Sequence, residues 1–353
     1  MIPTEPIGSI PRPPELIEGL AAFGRGEISP DGLQELQDRA LRDTIERFEA
    51  TGSPVISDGE QAKPSFATYP LEGLENLAPD GAVIPFADGH TRQLPRLTSG
   101  PFRFGRHADG YLAAAQRYTN VPVKQAVIAA SALSLIYPPD GVDDYDREAF
   151  LDDLVDACEQ DIRRSLDGGA HLVQIDFTEG RLSIKLDPSG GLLRDFVALN
   201  NRVLERFTAD ERARIGVHTC PGGDQDSTHS ADVDYAELLP ELFRIDVGNV
   251  YVMLAGEQDR ARTLRLIAEH QRPDQRTFIG VTDPIDPRVE TAEEVRDRVL
   301  EAAAVLPVDR LGTTDDCGFS PFADDTSTSR DLAFAKIASR VQGTHLASTA
   351  LGL

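Results

Sequence analysis

Cysteine, methionine and tryptophan are scarce in this sequence. Its 353 residues include three cysteines, two methionines and no tryptophan. Three cysteines do not make a disulfide framework and suit a reducing compartment, so we expect a cytoplasmic protein. No stretch approaches the roughly 20 apolar residues that a membrane span requires. The N-terminal stretch MIPTEPIGSIPRPPE is acidic and broken by proline, whereas a signal peptide is basic and then apolar.

Basic residues are also in short supply. The chain has 35 Lys and Arg against 59 Asp and Glu, which gives a formal net charge of −24. Binding to a nucleic-acid backbone needs clustered basic side chains, and no basic run occurs, so this class of partner is excluded. With 40% hydrophobic residues the chain can bury a sizeable core. We expect small-molecule partners, and the sequence leaves open whether the chain forms a homo-oligomer.

Short β-type segments alternate with amphipathic helical stretches from Val121 onward. In chain order they are VKQAVIAA and a helix near 147–167, HLVQID and a helix near 190–207, IGVHTC and a helix near 234–243, NVYVML and a helix near 258–270, TFIGV and a helix near 291–304, and RLGTT and a helix near 329–341. Repeated βα units predict a parallel sheet. An earlier helix is indicated over 30–50 by the helical spacing of its apolar residues.

The strand count favours a closed barrel. Adding the apolar run PVIS and one strand between residues 93 and 104 gives about eight strands, which predicts an α/β fold of the (β/α)8 TIM-barrel type. We expect one domain over 1–353, with an N-terminal extension and a hairpin-like excursion within 61–110. The competing doubly wound open sheet would normally carry a G-x-G-x-x-G turn, which is absent.

Metal ligands and carboxylates collect at the predicted strand ends. These ends read Asp58-Gly59-Glu60, Gln174-Ile175-Asp176, His218-Thr219-Cys220, Glu257, Asp283 and Asp315-Asp316-Cys317. In an α/β barrel the strand ends and the following loops together line one mouth, and functional groups lie there. The sequence therefore predicts a site at this mouth.

The H-x-C sequence at His218 and Cys220 carries the most weight. Residues at i and i+2 of a strand point to the same face, so both side chains can reach one metal ion. Imidazole and thiolate together suit zinc. An isolated H-x-C is more often a core histidine beside a buried cysteine, but Cys317 at another strand end favours a zinc site. Cys158 lies in a helical pattern and is expected to pack, and His229 is expected to be a solvated loop residue that could approach the mouth.

Five short motifs, taken in order, resemble the cobalamin-independent methionine synthase family. They are I-G-S-x-P from Ile7, G-E at Glu60, Q-I-D at Asp176, H-x-C at His218, and D-C-G around Cys317. The likeness is to the C-terminal catalytic barrel of that family and to its shorter single-barrel relatives.

The resemblance implies a set of site residues. It implies zinc held by a histidine, two cysteines and a glutamate, and His218, Cys220 and Cys317 match three of these ligands, with Glu257 the nearest carboxylate for the fourth. It implies further that Ile7, Gly8, Ser9 and Glu60 hold the amino-acid part of homocysteine. The family's Q-x-D-E-P is retained here at Asp176, with Phe177 in place of its Glu. We expect Asp176 and Glu179 to bind substrate as well. Asp176 and Asp283 are the residues we expect to act in catalysis.

The implied activity is zinc-dependent methyl or alkyl transfer to a homocysteine-like thiol. The proton-donating histidine that the family carries after D-I is missing from Asp283-Pro284-Ile285-Asp286-Pro287. Methyltetrahydrofolate needs protonation at nitrogen, so the donor stays open, with methylcobalamin or an epoxide together with coenzyme M as alternatives. A metal-free barrel lyase resembling uroporphyrinogen decarboxylase, and a non-catalytic zinc- or thiol-binding protein, are the other readings.

Overall fold

The computed structural model describes every residue from Met1 to Leu353. Its strands are β1 (Leu77–Ala78), β2 (Val83–Pro85), β3 (Thr91–Gln93), β4 (Arg96–Leu97), β5 (Gln125–Ile128), β6 (Val173–Asp176), β7 (Ile215–Thr219), β8 (Gly223–Asp224), β9 (Ser227–Thr228), β10 (Asn249–Val252), β11 (Arg276–Thr282) and β12 (Leu311–Asp315). Six of them form a parallel sheet in the spatial order β12-β11-β10-β7-β6-β5.

Helices follow the strands as predicted. They are α1 (Pro14–Gly24), α2 (Pro30–Ala50), α3 (Asp109–Gln116), α4 (Ala130–Leu133), α5 (Arg147–Asp167), α6 (Glu179–Leu186), α7 (Gly191–Leu204), α8 (Ala209–Arg212), α9 (Tyr235–Leu242), α10 (Arg260–His270), α11 (Ala292–Ala303) and α12 (Arg330–Ala350), with 3₁₀ turns at Tyr69–Leu71, Ser134–Ile136 and Val308–Arg310. Side-chain caps begin several of them, such as Ser29 on α2 and Thr291 on α11. No helix has the length and apolar character needed to cross a membrane.

Two further segments close the six strands into the predicted barrel. Ile56, in the PVIS run, pairs in parallel with Val123 just before β5, and Thr4 pairs in parallel with Thr313 of β12. The two added segments also meet each other, because the Ile10 amide donates to the Gly59 carbonyl at 3.0 Å. Eight parallel segments therefore enclose one interior.

The eighth barrel segment is the N-terminus and not the expected strand between residues 93 and 104. Those residues pair inside the excursion instead, β3 with β2 and β4 with β1, both antiparallel. Pro3 interrupts the sequence pattern of this segment, so the pattern did not predict a strand there. It is tolerated because pairing with Thr313 uses only the Pro3 carbonyl and the Glu5 amide.

The barrel interior below the mouth contains buried charge. The Tyr251 hydroxyl donates to Glu5 Oε2 at 2.6 Å, and Lys124 Nζ lies 3.6 Å from the same oxygen and 4.1 Å from the centre of the Tyr251 ring. Burial lowers the pKa of Lys124 to about 8. These contacts fill the interior, so the space for a ligand lies above them at the mouth.

The excursion contains the expected hairpin, which extends over the mouth. Residues 83–93, called the roof hairpin below, comprise β2, β3 and their turn. The Ala87 amide donates to the Thr228 carbonyl at 3.0 Å, and the Asp88 amide donates to Ser227 Oγ at 3.2 Å. The hairpin is thereby docked on the β8–β9 ladder that follows the H-x-C strand.

Candidate functional site

His218, Cys220 and Cys317 come together at the barrel mouth. One ligand atom from each lies within 4.8 Å of the other two, and the two sulfur atoms are 3.1 Å apart. His218 and Cys220 come from the end of β7, and Cys317 follows β12. All three cysteines are free thiols, and Cys158 is buried in α5 as a packing residue, as expected. The structure therefore contains a candidate metal site at the predicted place.

The chemistry of this group fits a metal ion. His218 is 2% exposed, yet neither of its ring nitrogens has a hydrogen-bond partner. A buried polar atom without a partner costs roughly 1–3 kcal/mol, which a metal bond would remove. The hydrogen bond from the Cys317 thiol lowers the pKa of Cys220 in spite of its burial, and raises the pKa of Cys317 itself. A thiolate is thus favoured at one of the two sulfurs.

Glu257 is not brought to these three residues. Its carboxylate accepts a hydrogen bond from Arg181, whose guanidinium is buried and lies 3.6 Å from the centre of the Tyr235 ring. The backbone just before Glu257 is held by a different carboxylate. Asp316 accepts hydrogen bonds from the amides of Leu254, Ala255 and Gly256 at 2.7–2.8 Å. The carboxylate that completes the metal site therefore stays a prediction.

A cavity of about 560 Å³ opens beside the candidate metal site of His218, Cys220 and Cys317. Its wall includes six of the residues singled out in the sequence, namely Ile7, Ser9, Glu60, Asp176, His218 and Cys317. The remaining residues of that prediction lie outside this wall. The cavity thus connects the candidate metal site, called the metal corner below, with the residues expected to bind the amino-acid part of a thiol.

Glu60 is held in place by a lysine that the sequence analysis overlooked. Lys63 Nζ donates to Glu60 Oε1 at 3.0 Å and to the Ala126 carbonyl at 2.9 Å, and both charged side chains are almost fully buried. The neighbouring carboxylates raise the pKa of Lys63 despite its desolvation. The Glu-x-x-Lys spacing of these two residues is the sequence signal that could have indicated this ion pair. Because Lys63 occupies only one carboxylate oxygen, the other is free to accept from a ligand.

Asp176 and Ser9 complete the polar part of the wall. Gln174 Nε2 donates to Asp176 Oδ1 at 2.7 Å, and burial raises the pKa of Asp176 to about 6. Ser9 lies against the D-C-G loop: its Oγ accepts from the Ser320 amide at 3.2 Å, and a Cβ at Gly318 would lie 2.1 Å from that oxygen. Only glycine fits there, so the loop that carries Cys317 is packed directly on the I-G-S turn.

Three expected site residues stand behind or beside the cavity. Gly8 has a φ of +148° and its carbonyl accepts from Ser57 Oγ at 2.6 Å, so its role is in shaping the turn. Glu179 is buried and bonded to Ser131, and burial raises its pKa to about 7. Asp283 lines a separate cavity of about 40 Å³ that also touches Cys317, and burial raises its pKa.

The roof contributes residues that the sequence did not reveal. Arg92 donates to Asp224 Oδ1 at 3.0 Å and to both oxygens of Asp324 at 2.9 Å, which joins the roof hairpin to the loop after β12. The expectation that His229 is solvated was wrong: it is 7% exposed, lines the cavity and packs edge-on against Phe86 of the roof. Burial lowers the pKa of His229 to about 4, so the ring is uncharged at neutral pH.

Residues 2–338 match the family model described as cobalamin-independent synthase, catalytic domain. A curated relative from Nitratidesulfovibrio vulgaris, 5-methyltetrahydropteroyltriglutamate–homocysteine methyltransferase, is 26% identical over 90% of this chain. The chain spans only 38% of that protein's length. The methionine synthase of Saccharolobus solfataricus is 23% identical, and the alignment covers 98% of this chain and 94% of the relative.

Solved structures share the fold over nearly the whole chain. A B12-independent methionine synthase from Shewanella sp., in complex with selenomethionine, has a TM-score of 0.78 at 19% identity and covers 99% of both chains. A vitamin-B12 independent methionine synthase candidate from Listeria monocytogenes has a TM-score of 0.73 at 20% identity, with 98% of this chain covered and 99% of that one. At these identities the likeness supports the barrel fold.

Proposed function

Because the chain belongs to the cobalamin-independent synthase family of methyltransferases, we propose that it is a zinc-dependent S-methyltransferase acting on the thiol of homocysteine. The observation that carries this proposal is the His218, Cys220 and Cys317 group, with its buried and unpartnered imidazole. Two sulfurs and one nitrogen are the donor set that zinc prefers. Zinc bound there would lower the pKa of the acceptor thiol while leaving its sulfur nucleophilic.

The polar wall supports an amino-acid thiol as the acceptor. The free carboxylate oxygen of Glu60 would accept from the substrate ammonium group, and Ser9 would bond to the substrate's polar end. Asp176 would add a second carboxylate, whose raised pKa leaves it mostly ionised at neutral pH. The acceptor's sulfur would then face Cys317 and His218, which line the same cavity.

In the proposed reaction a bond forms between the acceptor sulfur and the methyl carbon. The bond between that carbon and the donor's leaving atom breaks, and its electron pair stays with the leaving atom. The thiol proton passes to solvent water before the transfer, so the attacking sulfur is a thiolate. A tetrahydrofolate nitrogen would need a proton to leave, and the stretch Asp283–Pro287, where the family carries its proton-donating histidine, contains none. Asp283 itself lines the small neighbouring cavity. We therefore expect methyltetrahydrofolate to be a poor donor compared with a methylated corrinoid.

Glu257 is our proposed fourth ligand, and it would have to leave Arg181 to reach the metal. Replacing Glu257 by Gln should weaken zinc binding. Wild-type affinity in this variant would instead assign the fourth position to water or to Asp316. Asp316 is the weaker alternative because three backbone amides already use its carboxylate.

The test incubates zinc-loaded protein with homocysteine and each donor separately, and scores methionine by mass. Product with a methylated corrinoid, dependent on zinc, supports the proposal. Turnover with methyltetrahydrofolate on the order of 1 per second or faster would refute the donor half, and Asp283, Asp286 or His229 would then supply the proton. Purified protein that contains no stoichiometric zinc would favour the metal-free lyase. Bound zinc and thiol without any methyl product would favour another electrophile, such as an epoxide, or a binding protein.

A further inference from the structure

The part of the cavity that faces the metal residues from above is apolar. Four parts of the chain contribute to it: α1, the loop before the first 3₁₀ turn, the roof hairpin and the residue that directly follows the hairpin. The side chains are Ile17, Leu20, Phe66, Ile84, Phe86 and Leu94, and we refer to these six as the apolar chamber. Apolar surface facing water is unfavourable by roughly 25 cal/mol per Å², so such a wall favours an apolar occupant.

The cavity wall contains no free cation. Arg92 is the only Lys or Arg in the wall, and its guanidinium is bonded to Asp224 and Asp324. His229 is uncharged at neutral pH because burial lowers its pKa to about 4. Glu60, Asp176 and Asp324 add negative charge to the same wall. Apart from the zinc ion proposed at His218, Cys220 and Cys317, a ligand with several anionic groups would find carboxylates and no unpaired positive partner.

The charge of the whole chain acts in the same direction. A formal charge of −24 lowers the local concentration of anions and raises that of neutral or cationic ligands. The cavity of about 560 Å³ is in the range of ordinary small-molecule sites. The cavity therefore has room for a compact donor or for the reacting face of a larger one, and its charge selects against an anionic tail.

We propose that the donor presents an uncharged, apolar alkyl or aryl body to the apolar chamber and carries no polyanionic tail. This inference rests on the proposed function, since it names the class of donor for the same transfer. The proposal excludes for this chain a triglutamate donor of the kind that the name of the Nitratidesulfovibrio vulgaris relative specifies.

Two dyes that differ by one sulfonate test the chamber without any turnover. Uncharged N-phenylnaphthylamine and anionic anilinonaphthalene sulfonate are titrated into the zinc-loaded protein, and binding is followed by fluorescence. We expect the uncharged dye to bind at least about tenfold more tightly, which is the size of one desolvated, unpaired charged group after partial screening. Equal or tighter binding of the sulfonate would overturn the proposal.

Matched variants locate the dye. Ile84→Asn in the chamber should weaken binding of the uncharged dye by about tenfold, because a polar amide replaces apolar surface that would contact the dye. Val83→Asn is the control, since Val83 is the adjacent residue on β2, is 54% exposed and is not part of the wall. Leu20→Asn, on α1, repeats the test on an element outside the hairpin. Equal effects of Ile84→Asn and Val83→Asn, or no effect of Leu20→Asn, would place the dye elsewhere and contradict the proposal.

Competition by folates completes the experiment and separates the two proposals. Methyltetrahydrofolate with one or with three glutamates should not displace the uncharged dye, and displacement that strengthens with glutamate number would overturn the inference. If the dye behaves as expected but no donor yields methionine, the proposed function fails and the selectivity of the chamber stands. If methionine forms and the sulfonated dye binds better, the inference fails alone.

Discussion

The floor and the roof of the cavity are held in place by different forces. The floor consists of side chains at the ends of β6, β7 and β12, where a parallel sheet fixes the backbone and buries it on both faces. The roof hairpin has two short strands, and Arg92 provides its charged attachment to the rest of the mouth. The groups proposed to act on the reacting atoms belong to the rigid floor, and part of the apolar surface proposed to contact the donor lies on the less anchored roof.

The largest effect should come from removing a sulfur from the floor. Cys220→Ala and Cys317→Ala should each reduce zinc from about one per chain to almost none, with affinity falling by about 100-fold or more, because no neutral neighbour replaces a thiolate. Metal analysis after dialysis measures this. Cys158→Ala is the control and should keep its zinc, since Cys158 is buried in α5. Full zinc occupancy in Cys317→Ala would show that the zinc is not held by the proposed group of His218, Cys220 and Cys317.

A smaller effect is expected from Glu60, which lies beside the floor at the end of the Ile56 segment and is proposed to face the acceptor. Glu60→Gln should raise the KM for homocysteine by about tenfold, the scale of one charge-assisted hydrogen bond. Zinc content should not change. Glu18→Gln makes the same substitution on the exposed face of α1 and should leave KM unaltered. Unchanged kinetics in Glu60→Gln with every thiol acceptor would remove Glu60 from the binding site and leave Lys63 as its only partner.

Loosening the roof should affect access and leave the metal in place. Arg92→Ala removes the bonds to Asp224 and Asp324, and should speed proteolytic cleavage within residues 83–93 by about fivefold, equivalent to roughly 1 kcal/mol. Arg96→Ala is the matched control, because Arg96 pairs with Asp80 on the solvent side of the same excursion. Loss of zinc from Arg92→Ala would mean that roof and floor are one unit and that the distinction between them is wrong.

The smallest effect concerns stability and pH behind the floor. Burial raises the pKa of Glu179 from 4.5 to about 7, so the folded state loses stability as the pH rises through that interval. Glu179→Gln removes this dependence and should stabilise the protein at pH 8 by about 1 kcal/mol relative to wild type, with no gain at pH 4. The gain is limited because Glu179 Oε2 has no partner and the amide would leave its nitrogen equally unpaired. Denaturant unfolding at both pH values measures the difference, and a larger gain at pH 4 would contradict the sign.

The metal corner could be predicted because it depends only on strand ends. Once His218 and Cys317 are placed at the ends of parallel strands, the barrel brings them to one mouth whatever the loops do. The roof could not be predicted in this way. Its strands have two or three residues, and the positions of Phe86 and Arg92 depend on contacts with β8, β9 and the loop after β12. His229 was misjudged for the same reason, since a polar loop sequence does not reveal that a hairpin from elsewhere will cover it.

The parallel pairing of Thr4 with Thr313, called the seam below, closes the barrel and also determines when the barrel can close during synthesis. During synthesis at about 5–20 residues per second, the N-terminal segment waits roughly 15–60 s for its partner to emerge. Until then β11 presents an open edge, the kind of surface on which chains aggregate. Cys317 follows Thr313 by a few residues, so the last of the three proposed metal ligands appears as the seam becomes able to close. A complete set of proposed zinc ligands is therefore available only when the chain can form the whole barrel.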